Sequence, residues 1–469
     1  MKKSFLCVAL AGSLIGCTIG PEYKHPDLDV PEAFRDQQAT TNKESLADLA
    51  WQDMYQDNPL RQLLKTALAQ NRDVKIAAFR IEEARAQLGV SGVARLPQIN
   101  AAASGQRGRV FQGGEYVTGA IFSAEGQLSY EADLWRRLAS INDVARANLL
   151  ATEFARDAVR TSLVNDVATT YFNLISLDQQ LRITERTIAD RQRFLELTQS
   201  KFRYGAAAGL DVNRAEASLA AARANIPDLQ RQIAQSENQL RILLGQNPGA
   251  ITRAPLDLQA LPQLPTIPAG LPSSLIERRP DLHQAEENLI AATANVRAVK
   301  AALFPTISLT GNLGVESFEL SKLFDSGTRI WSFGLNLLQP LINAQRNGYQ
   351  VEAAQARREQ AILQYQNAVA QAFREVSDAL VARNGYVEVV RNQEQQVKSL
   401  REVSARVLKR YQIGYSSYFE VIEANNSLFV AELQLVQAYR SGLVSQVQLY
   451  KALGGGWMQG TAEAVQSQH

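Results

Sequence analysis

Apolar residues recur every seven positions along one long stretch of the chain. The positions of this seam are Val167, Leu174, Leu181, Ile188, Leu195 and Phe202. A seam with this period predicts a helix that packs as in a coiled coil. No glycine lies between Gly126 and Gly205, and no proline between Gln98 and Ile226, so nothing there interrupts a helix. Some 60 residues at 1.5 Å per residue predict a helix roughly 90 Å long.

A second apolar seam, with steps of three, four or seven residues, runs from Val369 to Tyr411. In the segments that precede the two seams, apolar and polar residues instead alternate with a period of two. Residues 97–130 form alternating segments punctuated by glycine, and residues 307–315 and 331–337 alternate between apolar and polar side chains. These patterns predict one β-hairpin at about 97–130 and another at about 305–340. Residues 60–90 are Ala-rich and have the pattern of a helix.

The chain contains the same unit twice, about 208 residues apart. Residues 201–205 (KFRYG) return as 410–414 (RYQIG), and residues 210–212 (LDV) return as 419–421 (FEV). This duplication predicts two structural repeats, 61–247 and 273–455, which supply equivalent walls of one pseudo-symmetric object. Prolines crowd residues 248–272, which we interpret as a stiff linker. The other predicted segments are a signal peptide at 1–16, an N-terminal arm at 17–60 and a tail at 456–469.

The first residues have the features of a targeting segment. Lys2 and Lys3 precede a short apolar run, and small residues lead into Cys17. This resembles a bacterial lipobox, in which cleavage before Cys17 leaves that residue to carry covalent lipid. Thr18, rather than an aspartate, follows the cysteine, which favours the outer membrane by resemblance to lipoprotein sorting signals. The alternative is an ordinary secretory signal with an incidental cysteine.

Composition excludes several classes of function. The 49 basic and 47 acidic residues leave no basic surface suited to nucleic acid. With Cys7 removed and Cys17 lipidated, we expect no disulfide and no thiolate metal site. The three histidines, His25, His283 and His469, have no metal-ligand neighbours at useful spacing. We therefore expect no enzyme, no metal and no cofactor apart from the covalent lipid on Cys17.

The alternating strands fit a membrane wall, with lipid on one face and water on the other. After the signal, no run of 18 apolar residues offers a transmembrane helix. Four strands cannot close a barrel alone, so strands that enter a membrane would require several chains to share one barrel. A small soluble sheet remains the alternative on the pattern alone.

Several motifs, in order and in duplicate, carry a resemblance to a known family. They are the lipobox, residues 130–135 (YEADLW), 272–275 (PSSL) with 278–281 (RRPD), 304–309 (FPTISL) and 449–457 (LYKALGGGW). Along its whole length the chain resembles the TolC-like outer-membrane factor family, and within it the OprM-type efflux lipoproteins. The resemblance implies a mainly α fold with a small β part, built from duplicated helix–β-hairpin–helix units. It also implies a homotrimer, with a twelve-stranded outer-membrane β-barrel continuous with a long periplasmic α-helical barrel.

By the same resemblance we expect the outer-membrane channel of a tripartite efflux pump, passive and gated, which conducts drugs or other toxic small molecules. The implied partners are a periplasmic adaptor (membrane fusion) protein, a proton-driven inner-membrane transporter of the RND type and outer-membrane lipid. Two alternatives are a type I secretion-like export duct and a periplasmic lipoprotein that acts as a coiled-coil adaptor. The adaptor alternative does not account for two hairpins placed between paired helices.

Glu420 and Glu423 lie three residues apart, hence on one helical face. On the pattern alone, solvated carboxylates on a helix face are the favoured interpretation, and a ring that lines a pore is the alternative. The resemblance implies a periplasmic constriction formed by Phe419, Glu420 and Glu423, with a closing link between Asp211 and Tyr411. A basic gate partner of some relatives corresponds to Ser416 here, so we expect that charged link to be missing.

Overall fold

The computed structural model describes residues 19–28, 30–31, 33–35, 46–253, 272–341 and 344–455. The predicted signal peptide, the lipid site at Cys17, most of the proline-rich linker and the tail lie outside these residues. The chain forms two compact units, and each combines segments from both halves of the sequence. One unit comprises residues 1–28, 79–154 and 283–367, and the other comprises 29–78, 155–282 and 368–469.

The chain is mainly helical, and each half carries one β-hairpin between helices, so the predicted fold class is confirmed. The helices are α1 (Trp51–Met54), α2 (Asn58–Gln70), α3 (Arg72–Val93), α4 (Arg137–Arg203), α5 (Gly209–Leu243), α6 (Pro272–Arg278), α7 (Pro280–Ala301), α8 (Ala344–Gln412) and α9 (Tyr418–Ala452). The strands are β1 (Gln98–Gln112), β2 (Glu115–Ala132), β3 (Thr306–Ser317) and β4 (Arg329–Leu338). Within the described ranges, no helix is both long and apolar enough to cross a membrane.

The strands form one antiparallel sheet in the order β1-β2-β3-β4. The register pairs Ile99 with Leu128, Leu128 with Gly311 and Gly311 with Phe333, so these residues share one face. We call this the apolar face. Its large apolar members are Ile99, Phe111, Tyr116, Phe122, Leu128, Tyr130, Ile307, Leu309, Leu313, Val315, Trp331, Phe333, Leu335 and Leu337.

The opposite side of the sheet, which we call the polar face, is rich in Gln, Asn, Ser, Thr and Glu. Asn100, Gln127, Asn312 and Ser332 follow one another across it in a single row of the register. Trp331, Phe333 and other side chains of the apolar face are about as exposed as surface residues, with Trp331 at 79%. A single chain therefore leaves a broad apolar surface uncovered.

In the unit that contains the sheet, residues 19–28 form an extended arm without helix or strand. The Tyr23 hydroxyl donates to Glu286 Oε1 of α7 at 2.7 Å. The hydroxyl of Tyr365 on α8 lies 3.1 Å from His25 Nε2, and burial raises the pKa of Tyr365 to about 12. These contacts hold the arm against two helices of the same unit.

The helical pattern of residues 60–90 is interrupted in the structure. Asn71 separates α2 from α3, and its Oδ1 accepts from the backbone N–H groups of Asp73 and Val74 at 2.8 and 3.2 Å. An asparagine that caps a helix in this way starts a new helix. Asn71 Nδ2 also donates to the carbonyl of Leu243, at the end of α5, at 2.9 Å.

The second copy breaks at the equivalent position with a different residue. Arg279 lies between α6 and α7, and its Nη1 donates to the carbonyl of Ala452, at the end of α9, at 3.1 Å. Asp281 and Glu375 pair with the same guanidinium, which is 9% exposed. The two copies thus bind equivalent helix ends with an amide in one and a guanidinium in the other.

Candidate functional site at the two helical turns

Each copy contains a turn between two long helices, α4 to α5 in the first and α8 to α9 in the second. Gly205 and Gly414 adopt positive φ angles of 77° and 88°. In the first turn the N–H groups of Gly205 and Ala206 donate to the carbonyls of Phe202 and Lys201. The second turn has the same pair of bonds, shifted by 209 residues. This is the Schellman ending of a helix, and it requires the glycine.

The two turns differ at the start of the following helix. Ala208 precedes α5 and makes no side-chain cap. Ser417 precedes α9 and forms a capping box, in which its hydroxyl accepts from the Glu420 N–H and Glu420 Oε1 accepts from the Ser417 N–H at 3.1 Å. The Ser417 N–H, and then the hydroxyls of Ser416 and Ser417, lower the pKa of Glu420. Glu420 is therefore a structural carboxylate of this turn as well as a candidate pore residue.

A buried cluster, which we call the turn cluster, lies beside the second turn. Its buried residues are Leu195, Ala215, Leu219, Tyr411, Tyr418 and Val421. The Phe194 ring stacks on Tyr418 at 5.3 Å and also contacts Tyr411 at 5.4 Å. Residues from both copies build this cluster, so the ends of the two helix pairs are packed together.

Tyr411 lies in the turn cluster and is 7% exposed. Asp211 lies near enough for its charge to affect the pKa of the Tyr411 phenol. Burial raises the pKa of Tyr411, the hydroxyl of Thr198 lowers it through a hydrogen bond, and the Asp211 carboxylate raises it. Among the described residues, no direct Tyr411–Asp211 hydrogen bond occurs, and the predicted closing link between these two residues stays a prediction.

The other three predicted residues lie on the surface of α9. Phe419 is 60% exposed, and Glu420 and Glu423 are exposed as well. Their equivalents in the first copy are Leu210, which is 58% exposed, Asp211 and Arg214. An exposed apolar residue beside carboxylates is available to face a pore or a neighbouring subunit.

The comparisons with known proteins agree with the duplication. The sequence model of the outer membrane efflux protein family matches the chain twice, at residues 63–246 and 271–455. The chain belongs to the outer membrane efflux protein family. Within the part of this efflux protein that the structure describes, no three His, Cys, Asp or Glu side chains converge as metal ligands.

Several members of the family are similar to the chain over nearly its full length. The cation efflux system protein CusC of Escherichia coli is 35% identical over 455 residues, which cover 97% of this chain and 98% of CusC. The antibiotic efflux pump outer membrane protein ArpC of Pseudomonas putida is 34% identical over 476 residues, 99% of this chain and 98% of ArpC. The open-state structure of the MtrE outer membrane channel of Neisseria gonorrhoeae superposes with a TM-score of 0.85 at 31% identity, covering 94% of this chain and 99% of MtrE.

The structure of this efflux protein adds residues to the site that sequence patterns did not indicate. Lys201 Nζ lies 4.0 Å from the centroid of the Tyr411 ring and donates to the Tyr411 carbonyl at 3.0 Å. Arg410, the equivalent residue of the second copy, instead bonds to the carbonyl of Tyr415 in its own turn at 3.2 Å. Lys201 therefore links two helix ends, whereas Arg410 closes one turn.

Arg191 is a second residue that the patterns did not single out. Its Nη1 donates to the Ser218 carbonyl of α5 at 2.5 Å, and its Nη2 donates to Asn426 Oδ1 of α9 at 2.7 Å. Burial lowers its pKa. One guanidinium on α4 thereby holds a helix of each copy. No local sequence signal distinguishes Arg191 from the many other arginines of these helices.

Proposed function

We propose that this outer membrane efflux protein is the exit channel of a tripartite efflux pump and conducts toxic small molecules passively to the exterior. The observation that carries the proposal is the separation of the sheet into an apolar face and a polar face across all four strands. A wall between lipid and water needs such a separation, and a soluble sheet that packs on helices does not need an exposed apolar face of this breadth.

The proposed assembly is a homotrimer. β1 and β4 are the edges of the sheet in the chain, and unpaired edges are not stable in hydrocarbon. Three copies joined edge to edge supply twelve strands, enough to close around a water-filled lumen. The helices α4 and α8, with 67 and 69 residues, are long enough to form the walls of a duct below the membrane.

The proposed partners are a periplasmic adaptor protein and a proton-driven inner-membrane transporter. The similar proteins CusC and ArpC are named for cation efflux and for antibiotic efflux, at nearly equal identity to this chain. That near-equality supports a passive channel whose cargo is selected elsewhere in the pump. We propose covalent lipid on Cys17 as an additional anchor in the outer membrane, because the lipobox-like run precedes it.

We further propose that the resting channel closes at the helical turns, with Asp211, Tyr411, Phe419, Glu420 and Glu423 in the constriction. The turn cluster supports this proposal, since it packs the end of α8 against α4 and α5, and Lys201 adds one polar contact at the same place. Exposed carboxylates repeated around a three-fold axis would repel one another and would favour cations in the pore.

The function is tested by reconstitution of the purified, lipidated chain into planar bilayers. Discrete single-channel conductance from a cross-linked trimer supports the channel, and a cross-linked trimer that inserts into the bilayer without conducting would refute it. Purification of the intact complex from the native membrane tests the partners. A proton-driven transporter in the complex supports efflux, whereas an ATP-driven protein exporter would favour a secretion duct.

A further inference from the structure

The charged residues of the four strands are divided between the two faces of the sheet. The register places Glu115, Glu125, Glu131 and Glu316 on the polar face. It places Arg107, Arg109 and Arg329 on the apolar face. No strand residue of the apolar face is acidic, so these arginines stand among apolar side chains without an acidic neighbour on that face.

All three arginines lie near the end of the sheet that carries the hairpin turns. Arg107 and Arg109 precede Phe111 on the apolar face, near the end of β1. Arg329 is the first residue of β4. Each of the three is exposed. Within the described residues none forms a salt bridge, and Arg109 only stacks over the Tyr116 ring at 4.9 Å.

An arginine on the lipid-facing side of a membrane strand strongly destabilises the protein at the middle of the bilayer but costs almost no free energy near the membrane surface. The arginines must therefore lie at the level of the lipid head groups. Phe111 and Tyr116, whose rings are 5.1 Å apart, share this end of the apolar face. Aromatic rings of this kind are enriched at the membrane surface, which supports the same level.

The connections of the strands indicate which surface this is. α3 leads into β1, β2 leads into α4, α7 leads into β3 and β4 leads into α8, all at the end of the sheet opposite the hairpin turns. Under the proposed function the helices extend into the periplasm, so the hairpin turns face the exterior. The arginines then meet the outer leaflet of the membrane. This inference rests on the proposed function, which sets the orientation of the sheet.

We propose that Arg107, Arg109 and Arg329 bind the phosphate groups of a phosphorylated lipid in the outer leaflet. A guanidinium presents a planar fork of donors that matches two phosphate oxygens. Arg107 and Arg109 are two residues apart on one face, roughly 7 Å by the rise of a strand, so both can engage one head group. Arg329 belongs to the opposite edge strand, which would neighbour β1 of the next chain in the proposed trimer.

The test measures lipid retained by the full-length protein in native mass spectrometry, with lipid A as the probe. The variant replaces the three arginines (Arg107→Gln, Arg109→Gln, Arg329→Gln). Its matched control replaces three exposed arginines that lie on helices (Arg72→Gln, Arg80→Gln, Arg357→Gln). We expect the strand variant to bind lipid A about 100-fold more weakly than the native chain and the helix variant to bind it normally.

Two further probes identify the chemistry. Dephosphorylated lipid A should bind the native chain as weakly as lipid A binds the strand variant, and inorganic phosphate should not compete at millimolar concentration. Equal binding of both lipids, equal binding by the strand variant, or displacement by free phosphate would each overturn the proposal. Single-channel conductance of the strand variant is recorded in parallel. A native chain that binds lipid A but never conducts refutes the proposed function and leaves the lipid site intact.

Discussion

The ammonium of Lys201, at the end of α4, lies over the ring of Tyr411, at the end of α8, and donates to the backbone carbonyl of the same tyrosine. One side chain thus makes a cation–π contact and satisfies a helix-terminal carbonyl, whose partial negative charge favours a cation. The contact joins the two copies of the repeat at the point where we propose that the channel closes.

Replacing Lys201 by Met should loosen this contact. The hydrogen bond and the cation–π contact together contribute on the order of 1–3 kcal/mol in a half-buried setting. We expect a higher open probability in planar bilayers, because the end of α8 loses its attachment to α4. Arg410→Met is the matched control, since Arg410 bonds only within its own turn. Equal behaviour of the two variants would remove Lys201 from the closing contacts.

Gly454 should not tolerate a side chain. Its φ is +78°, and an added Cβ would lie 2.6 Å from the Arg278 carbonyl oxygen, in contact with backbone that cannot yield. Gly454→Ala should therefore destabilise the protein by roughly 2–4 kcal/mol, visible as a lower melting temperature in detergent. Gly385→Ala is the control, because that glycine lies within α8 with open space around it. A Gly454→Ala protein that melts at the same temperature as the native chain would contradict the close approach of Gly454 to the Arg278 backbone.

The capping box of Ser417 and Glu420 predicts a pH dependence. The pKa of Glu420 is lowered in the folded chain, so the box stabilises above the ordinary glutamate pKa of about 4.3 and weakens as the pH falls through the lowered value. Ser417→Ala should cost about 1 kcal/mol at neutral pH. The difference in melting temperature between native and variant should shrink in acid.

The first copy offers a converse test of the same box. Ala208 occupies the equivalent position with the extended backbone of an N-cap (φ −84°, ψ 150°) and no side-chain bond. Ala208→Ser should raise stability by roughly 0.5–1 kcal/mol. An unchanged or lower melting temperature for Ala208→Ser would show that a side-chain cap at this position does not stabilise α5.

Glu432 should matter more than an ordinary surface carboxylate. It is 5% exposed on α9 and pairs with Arg186 of α4 and with Arg401 of α8, the latter at 2.8 Å. Both arginines are more than half exposed, so water can solvate them once the partner is lost. We expect Glu432→Ala to cost about 1–3 kcal/mol. Glu402→Ala, which breaks the exposed pair with Arg406, should cost less than about 1 kcal/mol.

The sequence predicted the hairpins and long helices because their signals are local and periodic. The alternation in residues 307–315 and 331–337 is strong enough to place β3 and β4, and the observed register then brings their apolar residues onto one face. The break at Asn71 was not predicted, because the apolar pattern continues through it. Asn71 caps α3 locally, and it also donates to the carbonyl of Leu243, a residue 172 positions away that no local pattern brings near.

The candidate site was predictable only in part. Tyr411 and Asp211 were implied by the resemblance to the TolC-like family, and the structure places Tyr411 in the buried turn cluster, which no local pattern around it predicts. Lys201 and Arg191 each contact residues of the other copy of the repeat. The residue spacing within one copy does not predict such contacts. The capping box was readable from Ser417 and Glu420, and it gives Glu420 a second role.

The claim that the channel closes at the helical turns is tested most directly by the single-channel conductance of the Tyr411→Phe/Glu423→Ala double variant in planar bilayers. Tyr411→Phe removes the hydroxyl while keeping the ring in the turn cluster, and Glu423→Ala removes an exposed carboxylate from α9. We predict a conductance clearly above that of the native trimer. A double variant that inserts normally and conducts like the native protein would contradict the assignment of these residues to the constriction.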